Sequence, residues 1–303
     1  MSPSFDDHLE AILQDCNDRV NQLEESGGSD EEMLDALINR GSVLSMMEYY
    51  TAALSDFDDA VDIIVRTEKA GKAVDPGCFV RSFVSRGELV ADKDQTAEDY
   101  VVASTRLREL NDNSKFCDRK KTVWICLDCG RDLIYSGHPE GAVPFADKLY
   151  EMLTGKDDSW SRNRYMETLS MSAKSMEDMG MDGEALEYYT EAIRVGHSLL
   201  EKSSLEDMEG LIFALVLRGN LEKKKGLMEP YFADRKTAIS LFEELLFHNR
   251  LDDTSMLVTL HQDMASTYLS LNKVKEAEEH LMKEVALSMD GAEEYIREFI
   301  KKD

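Results

Sequence analysis

The residues best suited to chemistry in this chain are its thiols and its few clustered cations. Cys126 and Cys129 form a C-x-x-C pair, with Cys117 nearby and His138 a distant fourth. A structural zinc site wants four such ligands at ligand spacing. Here there are three cysteines, and the Cys126–Cys129 pair sits inside one helical stretch, Thr122 to Tyr135, where it reads better as small thiols buried between helices. The six histidines, His8, His138, His197, His248, His261 and His280, are scattered and none sits in an H-E-x-x-H setting. There is no G-x-S-x-G and no phosphate-cradling glycine loop. Carboxylates are so abundant that a pair of them identifies nothing. The sequence therefore predicts no enzyme, no cofactor and no metal.

The cations are more informative, because the chain has few of them. Over its 303 residues, 61 acidic side chains face 35 basic ones, for a formal charge of −26. Residues 1 to 65 hold 16 acids and only Arg19 and Arg40. Such a balance disfavours nucleic acid and anionic membrane surfaces as partners. The acidic start reads as a solvated face, or as a docking surface for a basic partner. Against this background stands one basic cluster: Arg218, Lys223, Lys224, Lys225, Arg235 and Lys236. Arg40, Arg86 and Arg218 also recur, each just before a glycine. The recurrence predicts a shared structural task, an arginine stem packed on the next helix with its head paired to a carboxylate.

The elements that position these residues are helices. Five prolines and 17 glycines are few for this length, and no strand-like alternation persists. Apolar residues fall at helical spacing in pairs of stripes. Leu34, Leu37, Gly41 and Leu44 make one stripe; Tyr50, Ala53, Leu54, Phe57, Ala60 and Val61 make the next. Small residues recur in the first stripe of each pair at Gly41, Gly87, Gly130, Ala173, Gly219 and Ala265. The second stripes carry Ala53, Thr96, Ala142, Ala185, Ala238 and Ala277, in steps of 43, 46, 43, 53 and 39. The fifth of these needs an insertion near Gly226 to Ala233, and the Gly87 copy has a shortened turn. Neither helix of a pair can bury its stripe alone, so neighbouring pairs must stack. Capping boxes are expected at Ser29 with Glu32, Ser203 with Glu206 and Asp290 with Glu293, and Ser4 is expected to cap a first helix. The methionine runs, Met46–Met47 and Met166 to Met181, read as irregular core filler.

This pattern resembles the tetratricopeptide repeat, most clearly over Leu169, Ala173, Gly180, Ala185, Tyr189 and Ala192, and again over Ala265, Tyr268, Asn272 and Ala277. The steps exceed the family's period of about 34 residues, so the helices are expected to be long. The resemblance implies an all-α, right-handed α-α superhelix of about six helix pairs. It divides the chain into an acidic amphipathic helix over 1–28, repeats over 29–289 and a capping helix over 290–303, with Tyr295, Phe299 and Ile300 turned inward. It further implies a concave groove lined by the first helix of each pair. Carried over by position, that groove receives Leu127, Arg131, Ile134 and Tyr135 from the third pair, Ser170, Lys174, Glu177 and Asp178 from the fourth, and Val216, Asn220, Lys223 and Lys224 from the fifth. Arg131, Tyr135, Lys174, Asn220, Lys223 and Lys224 are the candidate binding residues, suited to an acidic segment. Val216 stands where the family's carboxylate clamp has a lysine. The resemblance thus implies a scaffold or adaptor for a protein or peptide partner, or else a sensor whose curvature responds to a ligand. The first 13 residues, which include Asp6, Asp7 and Glu10, do not read as a secretory signal, and five sparse cysteines suit a reducing cytoplasm.

Overall fold

The computed structural model describes residues 5–290, apart from 112, 249 and 252, and residues 295–300. Among these residues the structure is helical, with thirteen α-helices and no strand. A leading helix, α1 (Phe5–Ser26), is followed by six helical hairpins. They are α2 (Asp30–Met46) with α3 (Tyr50–Lys69), α4 (Pro76–Leu89) with α5 (Lys93–Ser104), and α6 (Arg119–Tyr135) with α7 (Val143–Leu153). Then come α8 (Ser159–Asp178) with α9 (Asp182–Glu201), α10 (Met208–Lys224) with α11 (Met228–Phe247), and α12 (Ser255–Ser270) with α13 (Val274–Val285). The chain divides into two compact units, Met1–Gly155 and Lys156–Asp303. In the first, α1 packs on α2 and α3 packs on α4; in the second, α9 packs on α10 and α11 on α12. Each unit therefore stacks hairpins in sequence order, as the paired stripes require.

The hairpin turns share one construction. Five of them end the first helix with a single left-handed residue: Glu48 at φ 63, Gly137 at 88, Gly180 at 78, Gly226 at 75 and Asn272 at 57. The amide of the next residue then reaches back across the turn, as in Tyr49 N to Leu44 O (2.9 Å), His138 N to Leu133 O (2.8 Å) and Met181 N to Met176 O (2.8 Å). Leu227 N to Glu222 O (2.8 Å) and Lys273 N to Tyr268 O (2.9 Å) complete the set. This is the Schellman closure, which satisfies carbonyls that the helix end would otherwise orphan. The same closure starts the second helix in the same register each time. The exception is the turn after Leu89. There Val90 is extended, and Asp92 caps α5 through the Asp94 and Gln95 amides. The expected shortening at Gly87 is present: α4 has lost its last turn.

First helices begin differently. Ser29, Asp75, Asp118, Asp158 and Asp207 cap them with side-chain oxygens, and the Ser29–Glu32 box is complete. The Ser203–Glu206 box is not formed, because α10 starts at Met208 under Asp207 and Ser203 is left-handed at φ 51, closing α9 instead. Ser4 and Glu293 lie outside the described residues, as does half of the expected cap over 290–303. Of that segment, Tyr295 is fully buried, and Phe299 and Ile300 are half-buried.

Register explains the irregular spacing. The fourth residue of each second helix faces the first helix: Ala53, Thr96, Ala185 and Ala277 lie there, and Ala142 takes that place from the 3-10 turn Pro139–Ala142. In α11 this residue is Tyr231, not Ala238, and it is fully buried. With Tyr231 in the series the steps become 43, 46, 43, 46 and 46. No insertion exists near Gly226, since α11 begins at Met228 directly after the turn.

Close approach and charge then lock each hairpin. A Cβ added at Gly87 would sit 2.8 Å from the Tyr100 ring, so only glycine admits that ring. Beside it, Arg86 grips Asp99 with two parallel N–H···O bonds, the Nε one at 2.8 Å. Arg40 grips Asp56 in the same way at 2.9 and 2.6 Å, and Arg218 grips Asp234 at 2.7 and 2.6 Å. Each aspartate is the seventh residue of its helix and is nearly inaccessible. The recurrent arginines thus do the structural task that their position predicts, with the planar fork matched to carboxylate geometry.

Two substitutions test this account. Glu48→Gly should raise unfolding stability by about 1 kcal/mol in urea titrations, because a side chain is strained at that φ and glycine is not. Asp56→Ala should cost about 2 kcal/mol, a value reduced by the partial exposure of Arg40, and adding Arg40→Met should recover most of that loss.

Candidate functional site

The six residues selected from sequence fall on first helices in both units. In the first, Arg131 is half-exposed 3.9 Å from Asp128, and Tyr135, the last residue of α6, is 81% exposed. Trp124, two turns before Arg131 on the same helix, is also exposed. In the second unit, Lys174 Nζ lies 2.5 Å from Asp178, and Lys224 Nζ lies 2.9 Å from Asp182. Lys223 Nζ lies 2.6 Å from Asp263, and Asn220 Oδ1 accepts a hydrogen bond from Arg235 Nη2. Three other carried-over positions do not present their side chains. Leu127, Ile134 and Val216 are buried, because α6 and α10 pack against helices on more than one side and need apolar residues there.

Asn220 and Lys223 belong to a larger constellation that links α10, α11 and α12. Its centre is the Asp263 carboxylate. Oδ1 takes Lys223, while Oδ2 takes Arg235 Nε at 2.9 Å and the Tyr231 hydroxyl at 2.9 Å. Arg235, 2% exposed, also donates Nη1 to the Val216 carbonyl at 2.8 Å. The Tyr231 ring has Lys223 5.3 Å from its centroid and the Arg235 guanidinium 5.2 Å away, within cation–π range. Its hydroxyl lies 3.0 Å from Thr267 Oγ1.

This geometry sets the charges. Burial alone would raise the Asp263 carboxyl, but hydrogen bonds from Lys223, Tyr231 and Arg235 outweigh it and hold the group below its ordinary value. Tyr231 is pushed up to about 12, mainly by burial and by the Asp263 charge. The site is a fixed cation pair around one anion, open to solvent on the Lys223 side, where that side chain is 38% exposed. It can present hydrogen-bond donors to an incoming carboxylate or carbonyl. It holds no nucleophile with a basic neighbour.

Sequence reasoning finds Asn220 and Lys223 but misses Tyr231, Arg235 and Asp263. The signal is present in the pattern. Arg235 stands at the eighth residue of its helix, where α3, α5 and α9 carry Phe57, Tyr100 and Tyr189, and Tyr231 stands where those helices carry Ala53, Thr96 and Ala185. The aromatic has moved back one turn and an arginine has taken its slot.

Cys126 and Cys129 are buried, and desolvation drives both thiols up, away from thiolate. Among the described residues, no group of three or more His, Cys, Asp or Glu is placed to hold a metal ion. No described helix is long and apolar enough to cross a membrane.

No protein-family model matches the sequence, and no curated protein matches it. Among solved structures, the chain is similar to aspartyl phosphate phosphatase F from Bacillus subtilis, at 15% identity and a TM-score of 0.55, over 96% of this chain and 74% of that one. It is similar to BtubC (BKLC) from P. vanneervenii at 12% identity and a TM-score of 0.51, over 97% of this chain and 93% of that one. A tetratricopeptide repeat protein from Parabacteroides merdae aligns over 95% of this chain and 98% of its own, at 12% identity and a TM-score of 0.42. At such identities the first two likenesses speak for fold alone, and they agree with the hairpins described above. The chain has a divergent tetratricopeptide-type helical-repeat fold.

One buried acid in this region makes a pH test. Glu222 on α10 is 7% exposed, and its Oε2 has no hydrogen-bond partner. Burial and the nearby Asp234 charge raise it to about 7, against partial relief from Arg218 at 3.8 Å. A carboxyl raised in the folded state is protonated more readily there than in the unfolded chain, so stability is lost as pH climbs from about 4.5 through 7. Glu222→Gln should therefore stabilise the protein by on the order of 2 kcal/mol at pH 8 and by little at pH 4.5. Denaturant melts at the two pH values measure the difference.

Proposed function

We propose that this protein is a non-catalytic binding module in which first-helix side chains of each unit, taken by itself, contact a protein or peptide partner. The observation that supports the reading is the way candidate donors are held. Lys223 and Asn220 are fixed by Asp263 and Arg235, and Lys174 and Lys224 by Asp178 and Asp182. Side chains immobilised before binding lose little entropy when a partner arrives, which favours a preformed surface. Arg131 and Tyr135 supply the corresponding contacts of the first unit, and Trp124 adds an exposed aromatic of the type enriched at interfaces. The partner segment is acidic or rich in carbonyl acceptors, since lysine and arginine donate and do not accept. The module works in the cytoplasm, where its five unpaired cysteines stay reduced.

A second reading, a ligand-responsive regulator, is favoured by one feature. Lys223 and Arg235 belong to the fifth hairpin and their shared anion, Asp263, to the sixth. A ligand carboxylate that takes Lys223 from Asp263 would loosen the link between those hairpins. Binding would then be coupled to their packing, which a plain scaffold does not need.

The two readings share a test. Protein carrying Tyr135→Ala and Lys174→Ala should retain its melting temperature within about 2 °C, since Tyr135 is exposed and Lys174 makes its ion pairs to Glu177 and Asp178 of its own helix. It should recover a partner that the unaltered protein captures at least about tenfold less efficiently. Capture of the same partners at the same efficiency defeats the assignment of these faces. A change in solution-scattering radius on partner binding supports the regulator, and an unchanged radius supports the scaffold.

A further inference from the structure

The C-terminal segment is seated by a polar chain that no binding role explains. Tyr295, fully buried, places its hydroxyl 2.6 Å from Glu243 Oε1 on α11 and 3.0 Å from His261 Nε2 on α12. His261, also fully buried, has its Nδ1 2.9 Å from Nδ1 of His280 on α13. Lys283 Nζ lies 3.4 Å from the same Glu243 oxygen. Tyr268 stacks on His280 at 5.7 Å, and Phe299 lies 5.2 Å from Tyr295.

The proton positions are set from the carboxylate end. Glu243 only accepts, so the tyrosine hydroxyl donates to it. The tyrosine oxygen then accepts from His261 Nε2–H. That leaves His261 Nδ1 bare, and it accepts from His280 Nδ1–H. His261 is therefore neutral, burial disfavours the charged form of His280, and every donor points the same way along the chain. A proton added at His261 Nδ1 sets N–H against N–H across 2.9 Å, unless His280 transfers its own proton to Nε2. A second proton removes that escape.

We propose that this relay is a proton-operated latch, which holds residues 295–300 against α11, α12 and α13 at neutral pH and releases them on acidification. The charges that face the histidines come from two helices: Lys236 and Glu243 on α11, and Glu279 and Lys283 on α13. Burial is the largest cause of lowering for both rings, and Lys283 adds to it for each. His261 is brought down to about 3. A histidine held neutral in the docked state and ordinary in the released state stabilises docking above about pH 6.5, and that stability fades as pH falls toward 3. One such ring reduces the docked-to-released ratio about thirty-fold between pH 7.5 and pH 5, and two rings reduce it more steeply.

Hydrogen exchange by mass spectrometry on the full chain tests the latch, with intrinsic exchange rates corrected for pH. Peptides covering residues 295–300 should lose protection between pH 7.5 and pH 5 while far-UV helicity is kept. Tyr295→Phe keeps the ring and removes both hydroxyl bonds, so its segment should be open already at pH 7.5 and show little further change. The His261→Gln and His280→Gln double variant keeps an acceptor and a donor at each place without a titrating ring, and its segment should stay protected at pH 5. The latch is refuted if the corrected protection of the unaltered protein is the same at both pH values. It is equally refuted if the segment opens only when the whole chain loses helicity, or if Tyr295→Phe shows the full pH step.

Discussion

The hairpin turn is the constraint on which the rest of the molecule depends. In five of the six hairpins, one left-handed residue and a backward-reaching amide end the first helix and, two residues later, start the second; in the remaining one the Asp92 cap sets the start. This fixes not only that two helices are antiparallel but which of their turns face each other. Once that register is set, the fourth, seventh and eighth residues of the second helix always meet the same part of the first. A small residue, a carboxylate and an aromatic can then be placed against a glycine and an arginine, hairpin after hairpin. Helix-forming sequence alone would allow the helices to slide by a turn. The closure removes that freedom at the cost of strain at Glu48 and Asn272, where the left-handed residue is not glycine.

The bidentate Arg–Asp locks resolve an electrostatic difficulty. A chain with 61 acids and 35 bases repels itself when compact, yet it places acids in its interior. The buried aspartates that face first helices are matched by arginines: Asp56, Asp99 and Asp234 each take a fork. Both arginines of the acidic start are committed, Arg19 to Glu32 and Arg40 to Asp56. Hairpins without the lock fill the same contact differently. In the fourth hairpin the residue before Ala173 is Ser172, and Tyr188 stands in place of the aspartate. Charge pairing of this kind selects one register more than it adds stability, since an apolar contact of equal shape would be at least as strong.

Much of this is legible in the sequence, and the failures have physical causes. The paired stripes, the six hairpins, the shortened second copy and the task of Arg40, Arg86 and Arg218 are all visible because each is a local pattern repeated at helical spacing. The fifth hairpin misleads because Tyr231 occupies a slot that the pattern reserves for a small residue, so the small-residue series settles on Ala238. The Ser203–Glu206 box misleads because Asp207 caps one turn later, where its side chain accepts from Gly210 N at 2.9 Å. Of the candidate site, Lys223 and Asn220 can be named, but Asp263 lies 40 residues beyond Lys223 and no spacing rule joins them. The relay is invisible in sequence for the same reason, since His261 and His280 are 19 residues apart and His261 and Tyr295 are 34 apart.

The last two hairpins are joined to each other by hydrogen bonds and ion pairs centred on α12. In the second hairpin, packing rests on an aromatic ring against glycine, an apolar contact whose strength hardly varies with pH or with a competing ion. Around α12 it rests instead on two titratable groups of one helix. Asp263 engages side chains of α10 and α11, and His261 engages α13 and, through Tyr295, Glu243 of α11. Hydrogen-bonded contacts of this kind are directional and can be exchanged for those of another molecule or undone by a proton, whereas dispersion contacts cannot. A repeat protein whose neighbouring units were all joined by apolar ladders would be uniformly stiff. Two such centres on α12 give the last two hairpins contacts that a competing carboxylate at Asp263 or a proton at His261 would undo.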